Sequence, residues 1–214
     1  MGEESLTKLF RIDCGDIYLQ EFTVKDAESI YKIANQPEIE KFLPDWKSTK
    51  EQRVNWVTND EIPENKAFLH AVRTRTNIDD HILRLGIFKK TTNEFIGWCC
   101  TGMKDELPAP NREIMYAVSS EYHNNGYATQ AIKGLIGYLF ENTNVDVLNA
   151  IAVINNAPSN KVIEKCGFTY LSQQKIENQI YNHYVLSKSE WIKIKGAIMQ
   201  CKKLRVKILS FFAF

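Results

Sequence analysis

The 214-residue chain carries almost no net charge: 27 Lys and Arg stand against 26 Asp and Glu, leaving +1. A basic face wide enough for a nucleic-acid backbone is therefore not expected, nor is an acidic tail. Long apolar runs are missing as well. Nothing approaches the about 18 residues that span a bilayer, and Met1 to Phe10 holds Glu3 and Glu4 with no apolar leader segment. Cysteine is scarce and odd in number. Cys14, Cys99, Cys100, Cys166 and Cys201 lack paired metal spacing, and adjacent Cys99 and Cys100 point to opposite faces of a strand. The expectation is five reduced thiols in a cytoplasmic protein. His70, His81, His123 and His183 are scattered without ligand spacing, so no metal is expected. No repeat, Gly/Ser linker or low-complexity block divides the chain. What is present is aromatic weight: eleven Phe, nine Tyr and four Trp supply enough apolar area for one core and argue against wholesale disorder.

The hydrophobic pattern reads as one mixed α/β domain. Ile17 to Phe22 alternates as a strand. Thr23 caps a helix beginning near Lys25, with Asp26 in its first turn and Ala27, Ile30, Tyr31 and Ala34 at helical spacing, ending before Pro37. A second helix starts near Ser48 or Thr49. Residues 61–76 suit a helix, yet FLHAV within them also suits a strand. Ile82 to Phe88 and Phe95 to Cys100 read as a hairpin, and IMYAV, within 111–119, as another strand. Ala128, Ala131, Ile132, Leu135, Leu139 and Phe140 form the stripe of an amphipathic helix. Val145 to Ile154 is a strand. Asn156 caps a short helix with Pro158 in its first turn, and Gly167 ends it. Phe168 to Leu171 and Ile180 to Leu186 close the domain as strands. Alternation of strands and helices in this central part implies largely parallel pairing there, with antiparallel hairpins around it.

The turn His123-Asn124-Asn125-Gly126, followed by Tyr127, Ala128 and Thr129, carries the most chemistry. It links a strand to a helix N-terminus, where unpaired N–H groups and the positive dipole end attract phosphate. Gly126 and the two Asn residues tolerate positive φ, so successive amides can converge as an anion nest. One strand further on come Asn156-Ala-Pro-Ser159 and Glu164-Lys165-Cys166-Gly167-Phe168.

Taken in order, these segments resemble the GNAT superfamily of acyl-CoA N-acyltransferases, and within it the RimJ/RimL-like branch that acetylates protein N-termini. His123 to Ala128 stands where the family has its pyrophosphate loop, Asn156 to Ser159 where it has N-x-x-S, and Glu164 to Phe168 where it has E-K-x-G-F. YLQEFTVKDAESIYKIANQPEIEKFL and EFIGW also fit, so the likeness covers roughly residues 15–190. The chain departs from the pattern at His123, in place of Gln or Arg, at Asn124, in place of Gly, and at Met115, in place of Gly. Ile163 stands where many members have a tyrosine that protonates the leaving thiolate.

The resemblance implies a twisted mixed sheet with helices on both faces. Acetyl-CoA would lie in the split between the family's fourth and fifth strands, here IMYAV and 145–154. Backbone amides of Tyr116, Ala117 and Val118 would pair with pantetheine and the thioester oxygen. His123, Asn124, Asn125, Gly126, Tyr127, Ala128 and Thr129 would hold the pyrophosphate, and Asn156 and Ser159 would meet the pantetheine arm. Ser159 is the proton donor expected for the thiolate. Glu113, near the start of the fourth strand, would order a water or accept the amine proton. Direct attack in a ternary complex needs a neutral amine, a polarised carbonyl and a protonated leaving group.

The expected acceptor is a protein or peptide N-terminal α-amine. A small amine (aminoglycoside, polyamine or amino acid) and a catalytically weak CoA-binding sensor are the alternatives. The protein is expected as a monomer or homodimer. Of the tryptophans, Trp46 belongs to the acceptor-pocket wall of the family, and Trp56 to the core. The domain is read as residues 1–197. Residues 198–214 are read as a basic and apolar tail of unassigned role: a solvated face with an apolar underside, or a basic amphipathic helix that packs on the domain or a neighbour or touches an anionic surface.

Overall fold

A computed structural model describes residues 9–197; the tail at 198–214 and Cys201 lie outside them. Eight strands form one sheet in the order β1-β2-β3-β4-β5-β6-β8-β7. They are β1 (Arg11–Cys14), β2 (Ile17–Glu21), β3 (Leu83–Lys89), β4 (Glu94–Met103), β5 (Arg112–Val118), β6 (Val147–Val153), β7 (Thr169–Ile176) and β8 (Gln179–Ser187). The helices are α1 (Ala27–Ala34), α2 (Pro37–Glu40), α3 (Lys50–Trp56), α4 (Ile62–Thr74), α5 (Tyr127–Asn142) and α6 (Ala157–Lys165). A π-turn, Val57–Glu61, joins α3 to α4. The ambiguous stretch from 61 is thus helix, and β1 is a strand the sequence reading missed.

The expectation of largely parallel pairing in the centre is corrected. Among the described strands only β5 and β6 pair parallel, and they share a single register pair, Glu113 with Asn149. Helix α5 is a crossover that returns the chain beside β5. Helix α6 leads instead to β7, which pairs antiparallel with β8, and β8 inserts antiparallel against β6.

Two cores sit on the two faces of the sheet. On the first, Ile132, Leu135, Leu139 and Phe140 of α5 pack with Phe68 of α4 and with strand residues such as Leu85 and Cys99. On the second, Ile30 and Ala34 of α1 pack with Trp98, Cys100 and Ala117. Cys99 and Cys100 do face opposite sides, and both are buried. Local signals explain the boundaries. The Asp26 carboxylate accepts from the Thr23 N–H at 2.7 Å and the Thr23 hydroxyl at 2.8 Å. Thr49 caps α3, accepting from Gln52 N–H at 3.2 Å. Asn156 caps α6 through Ser159 N–H, and Gly167 follows its end at φ +97°. In β4, a Cβ on Gly97 would collide with the Ala117 carbonyl, so glycine is what lets β4 and β5 approach at the split.

Candidate functional site

The site begins with a gap that the hydrogen-bond pattern of β5 defines. Ser119 N–H donates to Ile96 O at 2.9 Å, which fixes the alternation of the antiparallel β4–β5 ladder. Odd-numbered residues of β5, Ala117 among them, turn their N–H groups toward β4. Even-numbered ones turn theirs toward β6. Beyond the single Glu113–Asn149 pair β6 diverges, so the Tyr116 and Val118 amides face the open split while the Ala117 amide does not.

At the end of the split lies the loop into α5. Asn124 has φ +63° and Gly126 φ +76°, the left-handed conformations their side chains tolerate. Among the described residues, no backbone or side-chain acceptor meets the N–H groups of 124 to 129; the first bond of α5 is Gln130 N–H to Gly126 O at 3.0 Å. A Cβ built on Gly126 meets nothing within 4 Å, so the space over these amides is open. An unpaired run of amides at the start of a 16-residue helix fits a pyrophosphate. Two side chains are turned inward instead. His123 Nε2 lies 2.9 Å from Val118 O, and Asn125 Nδ2 donates to the Tyr122 and His123 carbonyls at 3.2 and 3.0 Å. They brace the loop, leaving anion contact to the backbone.

Helix α6 forms the other wall. Asn156 Oδ1 accepts from Ser159 N–H at 3.2 Å. Ser159 Oγ lies 3.0 Å from the Tyr116 hydroxyl, which also stands 3.2 Å from Ser159 O. Ile163 is buried in the core beneath. Cys166 is buried too, and its burial pushes the thiol up to about 12, which disfavours the reactive thiolate.

Glu113 opens onto the second face of the sheet, into a cleft of about 410 Å³. Asp45, Trp46, Trp56, Asp60, Met103 and Met115 line it with Glu113. Burial pushes the Glu113 carboxyl up to about 7, with nearby Lys104 opposing the shift and Glu106 adding to it. That is the range suited to a general base at neutral pH. The cleft floor is a buried ion pair. Arg53 Nη1 donates to Glu61 Oε1 at 3.0 Å and Arg53 Nη2 to Trp46 O at 2.7 Å. The guanidinium lies 5.1 and 4.9 Å from the Trp46 and Trp56 rings. Trp46 in turn stacks on Trp98 at 4.5 Å between centroids. Trp56, expected in the core, is instead a half-buried cleft wall held against Arg53. The π-turn is what carries Asp60 and Glu61 to the cleft. Glu61→Ala would leave the Arg53 charge buried and unpaired, so the expected loss is about 3 kcal/mol, read as a lower urea midpoint with unchanged slope.

The split therefore opens between two walls. Loop 123–129, Tyr116 and Ser159 belong to one side, and Glu113 and the tryptophan-lined cleft to the other. The sequence reading brought together Ser159, Asn156 and the loop. It missed the Arg53–Glu61 pair and the Tyr116 hydroxyl. Among the described residues, no group of three His, Cys, Asp or Glu side chains is placed to hold a metal, and no helix is long and apolar enough to cross a membrane.

The family model described as an acetyltransferase (GNAT) domain matches residues 16–169. An uncharacterized N-acetyltransferase, YnaD, of Bacillus subtilis (strain 168) is 25% identical over 151 residues, covering 71% of this chain and 78% of that one. Among solved structures, an acetyltransferase (GNAT family) from Bacillus anthracis superposes with a TM-score of 0.69 at 18% identity, covering 84% of this chain and 99% of that one. RimL, a ribosomal L7/L12 alpha-N-protein acetyltransferase solved in complex with coenzyme A, superposes with a TM-score of 0.65 at 15% identity, covering 83% and 98%. At such identities the two structures speak for the fold alone.

Proposed function

We propose, for a chain that belongs to the GNAT acetyltransferase family, that it moves the acetyl group of acetyl-CoA to an N-terminal α-amine of a protein or peptide, in the manner of the RimJ/RimL-like branch. The observation that carries the acetyl-CoA half is the unpaired run of amides from 124 to 129 at the end of the open β5–β6 split. Bound acetyl-CoA supplies an activated thioester. The loop amides hold its pyrophosphate, and the Tyr116 and Val118 amides hold the pantetheine arm and polarise the carbonyl.

On the other face, Glu113 takes the proton that the amine sheds. Ser159 gives a proton to the departing sulfur. Asp45 and Asp60, which make no ion pair among the described residues, attract the ammonium form of the acceptor to the cleft before it deprotonates. The same surplus of carboxylates supports a second reading, a small polycationic amine, and the two are separated by rate. Free-thiol release from acetyl-CoA is measured against a panel of peptides with free N-termini and a panel of polyamines and aminoglycosides. The N-terminal reading expects kcat/KM to be at least tenfold higher for the best peptide, and to level off near pH 8 as the α-amine deprotonates. A rate confined to the small amines, or still rising well beyond pH 8, overturns it.

Ser159→Ala is expected to lower kcat by about tenfold to a hundredfold, with acetyl-CoA affinity little changed, because sulfur gains charge only in the transition state. Steady-state rates beside calorimetric titration check this. Loss of the first-turn serine leaves the Asn156 cap in place, since that cap receives the Ser159 backbone N–H.

A further inference from the structure

The geometry points to Tyr116 as a positioning residue that aims the Ser159 hydroxyl into the β5–β6 split. This rests on the acetyl-transfer reading above. Tyr116 lies on β5, 43 residues before Ser159, and its side chain crosses to α6. Its hydroxyl reaches both oxygens of that one residue, Oγ at 3.0 Å and the carbonyl at 3.2 Å. The Ser159 backbone N–H is tied to Asn156, and among the described residues no other protein group bonds its hydroxyl. The serine hydroxyl thus has one neighbour of its own, and that neighbour decides where its single hydrogen points.

The Ser159 carbonyl can only accept, so the phenol is the donor in that contact; sharing its one hydrogen with Oγ occupies a serine lone pair and leaves the serine O–H free to turn toward the split. Burial raises the Tyr116 phenol above its ordinary range, so it keeps its hydrogen across working pH. Ile163, buried and apolar, offers no competing group on the next turn of α6.

The step then balances. The amine nitrogen bonds to the carbonyl carbon, the C–S bond breaks, and its electron pair leaves on sulfur. Ser159 relays a proton to sulfur, taking one from solvent water as it gives its own, so no free alkoxide forms. The proton shed by the amine leaves through Glu113. Tyr116 gives up no proton; it orients the donor through one hydrogen bond.

Tyr116→Phe removes one oxygen and keeps the ring. One hydrogen bond felt in the transition state corresponds to about a threefold to tenfold loss of kcat. The expected result is that loss with acetyl-CoA dissociation constant and melting temperature nearly unchanged. In a Ser159→Ala background the same substitution is expected to cost nothing further, because the group it orients is gone. An equal cost in both backgrounds overturns the proposal, as does an unchanged kcat in Tyr116→Phe. A loss carried by weaker acetyl-CoA binding or by melting temperature also overturns it, since that is a packing role. Wild-type protein that binds acetyl-CoA yet turns over no amine defeats the acetyl-transfer reading itself, and is distinguished from all of these by the unmutated control.

Discussion

Gly126→Asp is expected to weaken acetyl-CoA binding by about a hundredfold. The residue sits at φ +76° at the head of α5, beneath open space and beside amides with no acceptor. A carboxylate there points a negative charge at the position the pyrophosphate would take. It also offers the loop amides a competing acceptor from within the chain. Hydrogen bonds from N–H groups to charged oxygen are worth roughly 1.5–3 kcal/mol each, so losing one or two reaches a factor of about a hundred at 1.36 kcal/mol per tenfold. Gly126→Ala is the control. It carries the same left-handed strain, about 1–2 kcal/mol of stability, without the charge, and should cost less than tenfold in affinity. Thermal shift checks both. Ligand at a hundred times its dissociation constant stabilises wild type by about 2.7 kcal/mol; at the same concentration the gain should fall to about 0.4 kcal/mol in Gly126→Asp and stay above about 1.4 kcal/mol in Gly126→Ala.

Glu113→Gln should separate activity from stability in opposite directions. As a base, Glu113 acts in its ionised form, so kcat/KM of wild type should fall as pH drops below about 7, the value to which burial lifts its carboxyl. Removing the base should cost about 10²- to 10³-fold and erase that limb of the profile. The stability sign follows from linkage. The unfolded carboxyl ionises near its ordinary value of about 4.3, while the native one holds its proton up to about 7. Between those values the native state binds more protons than the unfolded chain, so its stability falls as pH rises through the window and stays reduced above it. Glutamine lacks that charge. The variant should therefore melt higher than wild type at pH 8, with a smaller difference at pH 5. An inactive variant with no gain at pH 8 would mean that Glu113 is not held against its own ionisation.

How much of this was legible in the sequence varies with the range of the interaction. Helix α5 was readable because its stripe repeats at the helical period and Leu135, Leu139 and Phe140 are indeed buried. Helix α6 was readable because Asn156, Pro158 and Gly167 are local start and stop signals. Strand β1 was not: four residues, RIDC, half of them exposed, carry too little pattern. The parallel expectation failed because a strand's neighbour depends on where the chain returns, and no local signal says that β8 slips between β6 and β7. The left-handed turn into α5 was legible since Gly126 and Asn124 tolerate positive φ, which both adopt. The cleft was not. Arg53 and Glu61 meet only because a π-turn brings them together, and Trp56 looks like a core residue until Arg53 lies against its ring. The Tyr116 hydroxyl finds Ser159 across helix α5 and strand β6, a contact that single-sequence spacing does not encode.

The central claim is that the split and the cleft act as one site, with acetyl-CoA on one side of the sheet and an amine on the other. Its most direct test is release of free CoA thiol by purified protein given acetyl-CoA with and without the peptide panel, with the products weighed by mass spectrometry. The account predicts amine-dependent thiol release matched one to one by acetylated peptide, lost in Glu113→Gln and reduced in Ser159→Ala. Saturable acetyl-CoA binding with no amine-dependent release would contradict it and leave a CoA-binding module without the transfer.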